Sequence, residues 1–115
     1  MRLSIVVSVL LSLSPTAAWS AEGKPPIIDG LTTHRDVDTY VACVTQGYAK
    51  QWPGTHAATY PSGRQILIAP DDQANALAEM SVANRNGGES LVTLRASGLS
   101  LRTQRDMAGV MKQCR

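Results

Sequence analysis

Phenylalanine is absent from the chain, which carries two tryptophans and three tyrosines in 115 residues. Any core must take its aromatic bulk from Trp52 and from Tyr40, Tyr48 and Tyr60. Histidine and cysteine occur twice each, as His34, His56, Cys43 and Cys114. There is no C-x-x-C pair and no H-x-x-x-H spacing, so neighbours in sequence assemble no zinc site. Asp71, Asp72 and Asn75 lack the D-x-D-x-D-G pattern and the distal glutamate of a calcium loop, and they read as a solvated turn. A Gly-rich phosphate loop, a G-x-S-x-G elbow and a serine set apart by its neighbours are all missing. Asp71, Asp72, Glu79 and Glu89 are the carboxylates that could pair, but none sits in the apolar setting a general acid requires. These absences argue against catalysis and give no reason to expect a metal or cofactor.

Charge of one sign is lacking too. Lys and Arg number 11 and Asp and Glu 9, for a net charge of +2. So balanced a chain makes no case for nucleic acid or anionic lipid as the main partner. The apolar stretch Leu3 to Leu13 is too short to span a bilayer. It follows the basic start Met1-Arg2 and precedes Ala18-Trp19-Ser20, whose small residues occupy the −3 and −1 positions of a signal-peptidase site. Residues 1–20 are therefore expected to be a signal peptide cut before Ala21, leaving 95 of the 115 residues and a charge of +1 once Arg2 is lost. No cysteine stands near the cut to take a lipid anchor, and no membrane span would remain. The expected location is periplasmic or secreted, where disulfides persist.

What is present is organised around Thr33 to Trp52. Val37, Tyr40, Val41, Val44 and Tyr48 fall at i, i+3, i+4, i+7 and i+11, the stripe of a helix packed on a core. Thr33 and Asp36 have the spacing of a capping box, Asp36 and Asp38 complement the helix dipole, and Pro53-Gly54 stops the run. A second helix is expected from Thr103-Gln104-Arg105-Asp106, with Met107, Val110, Met111 and Cys114 as its apolar face. Cys43 lies roughly 100–120° from the centre of the first stripe, and Cys114 lies on the second. Helices side by side on one sheet would let the sulfurs meet. A Cys43–Cys114 bond closing so long a loop is worth roughly 4 kcal/mol in the chain-entropy model.

Between the helices, His56 to Tyr60 and Gln65 to Ala69 read as strands joined by a Pro61-Ser62-Gly63 turn. Residues 76–83 alternate, as do residues 91–96. A loop at 86–88 pairs Val82 with Val92 and Met80 with Leu94 on one face, and sets Arg85 against Glu89, Ser81 against Thr93 and Glu79 against Arg95 on the other. A helix over 71–83 competes with the strand there, and the matched charges favour the hairpin. Residues 21–32, with Pro25-Pro26 and Gly30, have no period and are expected to form an extended arm. The fold expected for residues 33–115 is a single two-layer α+β domain. It has an antiparallel four-stranded sheet with the N- and C-terminal helices on one face, joined by the disulfide.

Tyr40-Val41-Ala42-Cys43-Val44, then Trp52, the Gly-turn hairpin ending in Ser90-Leu91-Val92-Thr93-Leu94, and a terminal Cys114 together resemble small uncharacterised exported single-domain proteins of Gram-negative bacteria. That resemblance implies a compartment and carries no activity with it. Ile66 to Asp71 is similar to a strand and turn in the C-terminal domain of the TolA envelope protein, which binds partner proteins. The likeness stops at the Gly-Gly turn, where a strand rather than a helix follows.

The candidate surface is the outward hairpin face, where Arg85 and Arg95 surround the exposed Leu91. The expected function is a non-enzymatic protein-interaction or inhibitor-type module whose partner is an envelope protein. Such a module would act through a sheet face or by accepting a partner's strand at a sheet edge. The alternatives are a small hydrolytic or metal-dependent enzyme using His34 or His56, and a binder of a small ligand between helices and sheet. Oligomeric state is not written in these patterns.

Overall fold

The computed structural model describes residues 24–85 and 87–115. The expected signal peptide, residues 21–23 of the arm and Asn86 of the hairpin loop lie outside them. The order is β1 (Ile27–Thr33), α1 (Val37–Ala49), β2 (His56–Tyr60), β3 (Gly63–Ile68), β4 (Ala78–Asn84), β5 (Ser90–Ala96) and α2 (Leu101–Cys114). The strands form one antiparallel sheet in the order β1-β5-β4-β3-β2. The architecture is α+β as expected, but the sheet has five strands rather than four. The extra strand takes the second half of the N-terminal arm: Leu31 pairs with Val92 and Thr33 with Ser90. A register shift between Ile27 and Asp29 breaks the alternation that would have marked a strand.

The hairpin register is the one read from the sequence. Val82 faces Val92, Met80 faces Leu94, Ser81 faces Thr93 and Glu79 faces Arg95, and Arg85 N–H donates to the Glu89 carbonyl at 2.7 Å. Alternation sends Ala78, Met80 and Val82, with Val92, Leu94 and Ala96, into the core, where they meet Ile66 and Ile68. The two helices close the core from the same side. From α1 come Tyr40, Val41, Val44 and Tyr48, and from α2 Met107, Met111 and Cys114, all buried. Trp52 folds back beside Tyr48, with ring centroids 6.1 Å apart.

Three devices lock the helices together. Cys43 and Cys114 are disulfide-bonded with Cα atoms 5.8 Å apart. Gly47 admits Val110 against the α1 backbone, and a Cβ there would lie 2.8 Å from a Val110 methyl. Two buried phenols bridge the helices: Tyr40 donates to the Met111 carbonyl at 3.0 Å and Tyr48 to the Met107 carbonyl at 2.7 Å. These phenols satisfy their own donors, as buried polar groups must.

Both helix starts differ from expectation. The cap of α1 is Asp36, whose carboxylate accepts from Thr39 N–H, while Thr33 ends β1 and accepts from Arg35 N–H. The cap of α2 is Ser100, whose hydroxyl accepts from Thr103 N–H. Each capping residue lies three positions from the one expected. The T-x-x-D spacing occurs at both places, and pairing of Thr33 in the sheet and the earlier Ser100 decide against it.

Candidate interaction surface

With both described helices on one side, no helix among the described residues covers the other face of the sheet. Its side chains follow from register. One row across the strands is Thr32, Leu91, Ala83, Gly63 and Tyr60. The next is Gly30, Thr93, Ser81, Gln65 and Ala58, and the third Ile27, Arg95, Glu79, Leu67 and His56. The middle of each row is small or polar, and the large apolar groups stand toward the margins. Ile27 is 57% exposed, Tyr60 49% and Leu91 36%. Leu91 and Tyr60 are three strand spacings apart, about 14 Å; Ala83 and Gly63 stand between them in the row, and Lys24 borders the same depression. This leaves a shallow trough flanked by two apolar side chains.

Gly63 is needed at the floor of that trough. Its φ is 151°, and a Cβ would collide with the Val82 carbonyl. Gly63 also follows the Pro61-Ser62 turn, so one residue closes the β2–β3 hairpin and keeps the surface flat.

The three residues singled out from the sequence do not act as a set. Leu91 is on the open face and Arg85 lies exposed just past the end of β4. Arg95 shares the face, but it is half-buried and its guanidinium donates to the Pro25 carbonyl at 3.0 Å. Its cross-strand neighbour Glu79 accepts instead from Gln65, at 2.8 Å. Glu89, expected opposite Arg85, has its carboxylate 4.0 Å from His34. The expected cross-strand ion pairs thus give way to other partners, because β1 and its leading segment bring a carbonyl to Arg95. Lys24 lines a depression with Tyr60, Gly63, Gln65 and Ser81, so the chain enters β1 across the open face. The features missed from the sequence were Tyr60 and Ile27. Tyr60 could have been found from the parity of the β2–β3 turn; Ile27 could not, because its strand was read as an arm.

His34, in the β1–α1 connection, is largely exposed, and His56 begins β2 at the opposite edge, its Nδ1–H donating to the Gly54 carbonyl at 3.0 Å. The width of the sheet separates them. Among the described residues no three of His, Cys, Asp and Glu converge as metal ligands, and both cysteines are in the disulfide. Two core phenols have shifted titrations. Burial pushes the Tyr40 phenol up to about 12, partly opposed by the positive charge of Arg115. Burial also raises Tyr48, with Tyr40 and Asp29 adding to the effect. No helix among the described residues is long and apolar enough to cross a membrane. No family model matches the chain, and no curated protein or solved structure does.

Proposed function

We propose that this protein is a non-enzymatic interaction or inhibitor-type module of the cell envelope, periplasmic or secreted, and that it holds a protein partner against its open sheet face. The observation carrying this reading is the row from Leu91 to Tyr60. It exposes two large apolar groups about 14 Å apart, across a floor of Ala83 and Gly63 that lets a partner's side chains approach the backbone. Apolar anchors within a polar surround are the composition of non-obligate interfaces. Arg85 stands at the rim, where a charge affects encounter rate more than affinity. The disulfide fits an oxidising compartment.

The test is a chemical-crosslinking capture from envelope extract with the wild-type protein and with Leu91→Asp. A partner held on this face is captured by the wild type and lost, at least tenfold, with the variant. Equal capture by both refutes the assignment of the face, and capture of nothing by either refutes the module.

A further inference from the structure

We infer that β2 is a self-pairing edge, through which a second copy of this chain adds antiparallel to the first about a two-fold axis at Ala58. The inference does not depend on the partner proposed for the open face.

The argument begins with which backbone groups β2 leaves free. Tyr60 pairs with Gly63 across a two-residue turn, and Gly54 N–H donates to the Ala69 carbonyl in the same register. Hydrogen-bonded pairs alternate along an antiparallel ladder. Gly54, His56, Ala58 and Tyr60 therefore turn their N–H and C=O groups toward β3. Ala57 and Thr59 turn theirs outward, where β2 is the last strand of the sheet among the described residues.

Those two residues fix how a second copy can bind. Pairing Ala57 with Thr59 of the other copy, twice over by symmetry, uses every outward group of β2 and forms about four inter-strand bonds. A shift toward the N-terminus needs the Thr55 N–H, which is already given to the Trp52 carbonyl at 3.0 Å. A shift toward the C-terminus needs an N–H that Pro61 lacks. The remaining register is symmetric, as an isologous dimer requires. It sets Ala58 opposite itself at the close, non-hydrogen-bonded spacing, about 4.5 Å between Cα atoms, which suits a methyl group. It also places His56 opposite Tyr60 of the other copy, ring beside ring, twice.

The two edges of the sheet differ in a way that supports this use. β1 is guarded by its bulge, by Asp29, and by Pro25 and Pro26 before it. β2 is His-Ala-Ala-Thr-Tyr, without proline, bulge, lysine or carboxylate, and all but Ala58 are exposed. Because the axis is perpendicular to the sheet, both open faces lie on the same side of the dimer. A contact of five-residue strands is below the ~1,200 Å² of a standard interface, so the dimer exchanges readily with monomer.

The test uses protein purified from cells expressing the full chain, at concentrations from low micromolar to millimolar. In hydrogen exchange followed by NMR, the amides of Ala57 and Thr59 are expected to exchange freely when dilute and to become at least tenfold protected when concentrated. Ala58→Cys, oxidised mildly with the Cys43–Cys114 bond verified by mass spectrometry, is expected to give a covalent dimer. Ala57→Cys and Thr59→Cys, offset from their own copies, are expected to give little. Thr59→Pro removes an outward N–H and no β2–β3 bond, and is expected to remain folded and monomeric. Concentration-independent exchange at Ala57 and Thr59 overturns the inference, as does equal covalent dimer from positions 57, 58 and 59. If the edge serves a different protein's strand, purified Ala58→Cys forms no covalent dimer, and the inference is equally overturned.

Discussion

Alkaline solution is expected to unfold this protein through Tyr40 and Tyr48. Each phenol donates to a carbonyl of α2 from a site of zero exposure, where a phenolate would lose its hydration and face an oxygen that cannot donate to it. Tyr40 is accordingly pushed up to about 12 from an ordinary 10.0. In the unfolded chain both groups ionise near the ordinary value. Below pH 10 the two states bind the same protons and these residues give stability no pH dependence. Above it the unfolded state binds fewer, so stability falls as pH rises toward the folded value. At about 1.36 kcal/mol per unit, Tyr40 alone removes about 2 kcal/mol by pH 12, and Tyr48 acts in the same direction. That is a large part of the stability of a small domain. The assay is tyrosinate absorbance and far-UV circular dichroism along one pH titration, in a Tyr60→Phe background that leaves only the buried pair. Absorbance and loss of ellipticity should rise together between pH 10 and 12. Tyr40→Phe should cost about 1–3 kcal/mol at neutral pH, since the Arg115 N–H goes to the Lys112 carbonyl and the buried Met111 carbonyl loses the phenol as its donor, and should make the alkaline loss of stability less steep. Full ionisation of both phenols near pH 10 with the fold intact would refute the reasoning.

Three further expectations concern the frame that carries the open face. Replacing Cys43 and Cys114 by alanine, which frees a loop spanning 71 positions, should lower stability by roughly 4 kcal/mol, measured by urea unfolding against the oxidised wild type. Gly54→Ala should cost more than 1 kcal/mol, because a Cβ collides with the Asp71 backbone; thermal melts check this. Asp36→Ala and Ser100→Ala should each cost about 1 kcal/mol by the loss of a cap, whereas Thr33→Ala should leave the start of α1 in place.

The parts of this molecule that were readable in the sequence are those whose partners are near in the chain. Val82 with Val92, and Met80 with Leu94, follow from a short loop and period-two alternation. The apolar stripes of both helices follow from period 3.6, and their shared burial brought Cys43 to Cys114 over a long separation. β1 was hidden because its pairing with β5 is between the ends of the chain and its bulge, Asp29 and Gly30 mask the alternation. That omission carried over to the site. Without β1, Arg95 stood free beside Leu91; with it, Arg95 is engaged by Pro25. Capping failed by one turn at both helices, since Thr33 and Thr103 each offered a sound local motif and the sheet and Ser100 took precedence.

The most direct test of the open face as the working surface is a photo-crosslinking residue placed at Leu91 in living cells, with the same residue at Gln46, exposed on α1, as the comparison. A discrete protein adduct from position 91 and none from position 46 is the predicted result. No adduct at 91, or the same adduct from both positions, would contradict the account.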